Sequence, residues 1–78
     1  MKVFKYRFSK ERSAKEFLER VNKETGGCAT HPFSGKKVKL DTKSVLVKGI
    51  GSIIFDIKLR HTCDKLCDEL GGVRLPSM

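Results

Sequence analysis

The chain has 78 residues, 38% of them hydrophobic and 33% charged, and 17 Lys and Arg against nine Asp and Glu give it a net charge of +8. That length supports a single domain with about 3–5 kcal/mol of net core stability and little room for a deep small-molecule pocket. No apolar run approaches the ~18 residues of a membrane span, the charged N-terminus lacks a signal-peptide apolar region, and three cysteines form no disulfide framework.

Those exclusions point to a reducing cytosol, a monomer is expected, and the charge points to acidic partners: nucleic acid, an anionic protein face or a membrane surface. Residues 2–8 alternate, with Phe4, Tyr6 and Phe8 on one side and Val3, Lys5 and Arg7 on the other, which predicts a half-buried strand. Ser9 offers a helix N-cap, and Ser13 with Glu16 offers a capping box. Ala14, Phe17, Leu18 and Val21 follow at helical spacing up to Gly26-Gly27.

Residues 28–33 read as a weaker strand that Pro32 pushes toward an edge, and Ser34-Gly35-Lys36 reads as a hairpin turn. Val38 and Leu40 alternate with Lys37 and Lys39. Asp41 or Thr42 then caps a short helix over 43–48, which Gly49 and Gly51 end. Ile53, Phe55, Ile57 and Leu59 alternate with Ile54, Asp56, Lys58 and Arg60 as the strongest predicted strand. Thr62 caps a last helix with Cys63, Leu66, Cys67 and Leu70 on its apolar face. Gly71-Gly72 closes it, so the domain spans 1–72 and 73–78 is a flexible tail. The order β-α-β-β-α-β-α predicts an α+β, two-layer open-faced sandwich: a four-stranded antiparallel sheet with three helices on one face.

From Gly35 onward the turn, the Asp41-Thr42-Lys43-Ser44 cap, the Val45-Leu46-Val47 helix, its glycines, and the strand and helix after it resemble the histidine-containing phosphocarrier (HPr) family of the bacterial sugar phosphotransferase system. The resemblance implies the strand order 1-4-2-3. It also implies a partner-docking surface on the short helix and the start of the first, here Lys10, Arg12, Lys43, Ser44, Val45, Leu46 and Lys48. Where the family has its signature, this chain reads Phe8-Ser9-Lys10-Glu11-Arg12-Ser13-Ala14. Arg12 and Ala14 match, but Lys10 replaces the phosphoacceptor histidine, and a protonated amine cannot take its place at neutral pH. The expectation is therefore a small, non-enzymatic regulatory or adaptor protein without phosphocarrier activity. Ser44 matches the serine that a regulatory kinase modifies in many family members.

Other constellations carry less. Ser9, Lys10, Arg12 and Ser13 at a helix start could hold an anion. His61, Cys63 and Cys67 have the residue types of a metal site, but both cysteines share the face of Leu66 and Leu70 and are read as core, so neither a metal nor a cofactor is expected. His31 has no catalytic partner in the sequence, and a displaced phosphoacceptor at His31 or His61 ranks last. An alternative function is polyanion or nucleic-acid binding, because the predicted pleat sends Lys5, Arg7, Lys37, Lys39, Lys58 and Arg60 to the open sheet face.

Overall fold

The computed structural model describes residues 3–34 and 39–75, the side chains of Ser34 and Lys39 excepted. Strand β1 is Val3–Arg7, helix α1 Glu11–Thr25, β2 Ala29–Thr30, β3 Phe33–Ser34, β4 Lys39–Leu40, β5 Ser44–Lys48, helix α2 Ile53–Glu69 and β6 Val73–Leu75. The chain is α+β. A four-stranded sheet in the order β2-β5-β1-β6 has antiparallel neighbours throughout, and β3 and β4 pair as a separate hairpin.

Each helix links two parallel strands that have a third, antiparallel strand between them: α1 links β1 to β2 around β5, and α2 links β5 to β6 around β1. Two interlocked split β-α-β units of this kind are the ferredoxin-like topology. Phe4, Tyr6, Phe8, Ala29, Val45 and Val47 from the sheet meet Ala14, Phe17 and Val21 of α1 and Leu59, Cys63, Leu66 and Cys67 of α2 in one core. Both helices therefore cover the same sheet face. Tyr6 and Phe8 flank Phe17, with ring centroids 4.9 and 5.1 Å away and tilted planes.

Several expectations change here. Residues 43–48 are a strand, not a short helix: Val45 and Val47 face the core, and β-branched residues in alternation suit a pleat better than a two-turn helix. Residues 53–60 are helical. Leu59 and Cys63 stand one turn apart on the buried side, continuous with Leu66 and Cys67, so the 3.6 period overrides the local alternation of isoleucines. Ser52, not Thr62, is the N-cap, and its hydroxyl accepts the Phe55 N–H. Two helices thus cover the sheet instead of three, and the strand order differs from 1-4-2-3. Val73–Leu75, expected as a tail, pairs with β1. Helix α1 follows expectation and ends at Gly26, whose N–H still reaches the Asn22 carbonyl and whose left-handed φ of 80° then turns the chain out of the helix. Its N-cap is Lys10, which supplies no side-chain cap; Ser9 precedes the helix and Ser13 lies inside it. The Gly35-Lys36 turn and the contributions of Lys37 and Val38 lie outside the described residues.

Candidate functional site

The most distinctive surface is the start of α2. Ile53, Ile54 and Ile57 are 78%, 71% and 63% exposed, and Ile50 just before the helix is 61% exposed. Asp56, Leu59, Cys63, Leu66 and Cys67 take the inward side, so the isoleucines project from the sides and outer surface of the first two turns. Four large aliphatic side chains together in water are costly to keep unless something covers them. Lys58, Arg60 and His61, all exposed, follow on the next turn.

A carboxylate holds this surface in shape. Asp56 is 8% exposed and accepts the backbone N–H groups of Ile50 (2.9 Å) and Gly51 (3.1 Å), folding the 49–51 loop onto the helix. Gly49 is required at the closest approach, since a Cβ there would lie 2.7 Å from the Asp56 carboxyl carbon. Gly49-Ile50-Gly51 is thus the seat of a side-chain cap, and the negative charge lies in the first turn of α2, where the helix dipole favours it.

The residues predicted for partner docking do not form one surface. Lys10, Arg12 and Lys43 share one end of the molecule: the Thr42 hydroxyl donates to Glu11 (2.7 Å), and the Phe8 N–H donates to the Lys43 carbonyl (2.8 Å). Val45 is sealed in the core and Leu46 is half-buried on the other sheet face. Lys48 stands at the far end of β5, about 16 Å along the strand from Lys43. Ser44 is 2% exposed and its hydroxyl bonds Asp41, so in the folded protein it is not presented to a kinase. At the start of α1, Ser9, Lys10, Arg12 and Ser13 do gather, but Glu11 already places a carboxylate in that first turn.

The predicted polyanion face is divided too. Lys5 and Arg7 lie on the open sheet face, where Lys48 joins them opposite Val3. Lys58 and Arg60 belong to α2 on the covered side; Arg60 lies 5.8 Å over the Phe4 ring. Lys37 falls outside the described residues, as does the side chain of Lys39. Asp41 sits by the open face. Desolvation pushes its carboxyl up, but the Ser44 hydroxyl, the Lys43 N–H and the charges of Arg7 and Lys5 together hold it below its ordinary value. The open faces of β1 and β5 carry no aromatic residue. Phe4, Tyr6, Phe8 and Phe17 are core, Phe33 is in the hairpin and Phe55 is on α2, so there is no base-stacking platform on the central strands.

Beside β6, an open groove of about 550 Å3 is lined by Phe4, Lys5, Tyr6, Arg60, Asp64, Arg74 and Leu75. The Tyr6 hydroxyl donates to Asp64 Oδ1 (2.9 Å), Arg74 Nη1 donates to Oδ2 (2.9 Å), and Arg60 Nε lies 3.9 Å from Oδ2. Burial and then the Asp64 bond push the Tyr6 hydroxyl far above its ordinary range.

Cys63 and Cys67 are fully buried, and desolvation pushes their thiols up to about 12 and about 11. Their neutral, inert form belongs to the core. Among the described residues no three His, Cys, Asp or Glu side chains converge to hold a metal. His31 Nδ1 donates to the Ser44 carbonyl (2.8 Å), which fixes its proton there and gives the ring a structural job; His61 is exposed on α2.

No family model, curated protein or solved structure matches this chain. No helix among the described residues is long and apolar enough to cross a membrane. The isoleucines at the start of α2 are hidden in the sequence because their alternation is that of a strand interior. The signal that could have found them was Ser52 directly after Gly51, followed by Leu59, Cys63, Leu66 and Leu70 at helical spacing.

Proposed function

We propose that this chain is a non-enzymatic protein-binding domain of regulatory or adaptor type, which docks an acidic partner on the first two turns of α2. The observation that carries the reading is the exposed group of Ile50, Ile53, Ile54 and Ile57, held in a fixed shape by Asp56. An apolar centre excludes water from a contact, and the surrounding Lys58, Arg60 and His61, on a chain of net charge +8, select an acidic rim opposite. Self-association about a two-fold axis would set those like charges against each other. The phosphocarrier resemblance contributes the docking role alone, since Lys10 stands in place of the acceptor histidine. The contact moves to α2 because residues 43–48 form a strand with a buried face. Nucleic-acid binding is the weaker reading, with the cations divided between two faces and Asp41 beside Lys5 and Arg7. Three free cysteines, two of them sealed in the core, suit the reducing cytosol in which we place the protein.

The test is an amide NMR titration with an amphipathic helical peptide bearing a leucine stripe flanked by glutamates. Shifts centred on Ile53, Ile54 and Ile57, lost in I54S/I57S, are the expected result. Three results would count against the proposal: saturable binding to anionic vesicles but not to the peptide, self-association through the same amides, or salt-sensitive oligonucleotide binding at Lys5 and Arg7.

A further inference from the structure

The two outer edges of the four-stranded sheet are finished differently. Just before β2 the Cys28 carbonyl accepts the Lys48 N–H of β5 (2.9 Å), so by the alternation of an antiparallel ladder the backbone of Ala29 faces outward. Both of its groups are taken by one side chain: the Ala29 N–H donates to Asn22 Oδ1 (2.7 Å), and Asn22 Nδ2 donates to the Ala29 carbonyl (3.0 Å). The amide of Asn22 mimics a neighbouring strand and closes that edge.

At the other edge the same alternation turns Arg74 outward. The Phe8 N–H donates to Lys43 O, so the even residues of β1 bond β5, while Lys5 and Arg7 bond Leu75 and Val73 of β6. Arg74 N–H and C=O then point away from the sheet, and among the described residues no hydrogen bond reaches them. The Arg74 side chain lies on the helix side with Arg60, while Val73 and Leu75, opposite Arg7 and Lys5, lie on the open side.

We propose that β6 is a docking edge that accepts an extended acidic segment of a partner protein as a fifth strand. Backbone bonds to Arg74 would fix the segment, and its alternating side chains would meet two different surfaces. Those on the helix side face the side chains of Arg60 and Arg74, each 58% exposed and sharing the Asp64 carboxylate, and call for Asp or Glu. Those on the open side face Val73 and Leu75 and call for aliphatic residues. A second copy of this chain pairing β6 with β6 would oppose Arg74 with Arg74, which is why an acidic partner is the occupant. The inference goes beyond the α2 reading, since it names a different surface and a different ligand shape, and either can fail while the other stands.

The full-length, isotope-labelled protein is titrated with a capped Glu-Val-Glu-Val-Glu-Val-Glu peptide. Shifts at Val73, Arg74 and Leu75 with slowed exchange of the Arg74 amide are expected, and a Lys-Val-Lys-Val-Lys-Val-Lys peptide gives none. R74Q weakens binding roughly tenfold, as for loss of a charge-assisted contact. Because R74Q also disturbs Asp64, a second arm leaves the protein intact and N-methylates alternate peptide bonds of the ligand. Methylation of the groups facing Arg74 abolishes binding, and methylation of the opposite set does not. Equal binding by both methylated peptides, shifts confined to the start of α2, peptide-independent dimerisation through β6, or no binding at millimolar peptide overturns the proposal.

Discussion

Replacing Asp56 by alanine tests whether one carboxylate shapes the surface at the start of α2. Asp56 is nearly buried and accepts from Ile50 and Gly51 at 2.9 and 3.1 Å. A hydrogen bond to a charged group contributes about 1.5–3 kcal/mol. Both donors belong to exposed residues, however, and water would replace the lost acceptor, so the pair retains only part of that sum. A first-turn charge adds ~0.3–1 kcal/mol through the helix dipole. The expected loss for D56A is therefore about 2–3 kcal/mol, half or more of the ~3–5 kcal/mol that a core of this size supplies. At ~4–8 °C per kcal/mol, the melting temperature falls by about 8–24 °C. Urea unfolding followed by helical circular dichroism should show a lower midpoint at unchanged slope, and hydrogen exchange should speed up most at the Ile50 and Gly51 amides. G49A supplies the internal check. Its Cβ meets the Asp56 carboxyl, so it should cost more in the native background than in D56A. A D56A unfolding free energy within ~0.5 kcal/mol of native, or additive costs for the two substitutions, would refute the account of the loop.

Three further outcomes follow from the described geometry. N22A removes both bonds to Ala29 and should destabilise the fold by about 1–2 kcal/mol while raising concentration-dependent aggregation, read by urea unfolding and light scattering. Cys63 and Cys67 have their folded pKa values raised to about 12 and about 11 from an ordinary value near 9, and Tyr6 is raised as well. The unfolded chain therefore releases those protons first, so stability is intact below about pH 9 and falls as pH climbs through the folded values; a flat denaturant midpoint between pH 8 and 11 would contradict the burial of these groups. With a disulfide-exchange reagent at neutral pH, half-buried Cys28 should react first, and the other two thiols only as the protein unfolds.

Legibility in the sequence followed the kind of signal each segment carries. Strand β1 and helix α1 could be read because Phe4, Tyr6 and Phe8, then Ala14, Phe17 and Val21, keep a single period over their whole length. Residues 43–60 could not, because each half carries a local pattern that tertiary packing overrides. Ser44 to Lys48 follows two cap-like residues but is a central strand, where β-branched valines fill the core. The stretch from Ile53 to Leu59 alternates like a strand, yet its alternation arises from isoleucines left outside, and of its apolar residues only Leu59 joins the inward row of α2. The site therefore lies where the local patterns do not point: Val45 is in the core, and Ile53 and Ile57 are on the surface. The split between Lys5 and Arg7 on one face and Lys58 and Arg60 on another had no local signature, since it depends on which strands are neighbours. The Asn22 bonds to Ala29 were equally invisible, because nothing in a helical asparagine announces a strand edge seven residues on.

Closing one edge of the four-stranded sheet while the other stays open among the described residues gives that sheet a valence of one. A sheet that could be extended from both sides would propagate from chain to chain without limit. With Asn22 acting as a terminator at β2, any strand added at β6 ends the growth it begins. Through this sheet, the polymerisation hazard of an open edge is thereby reduced to a pair.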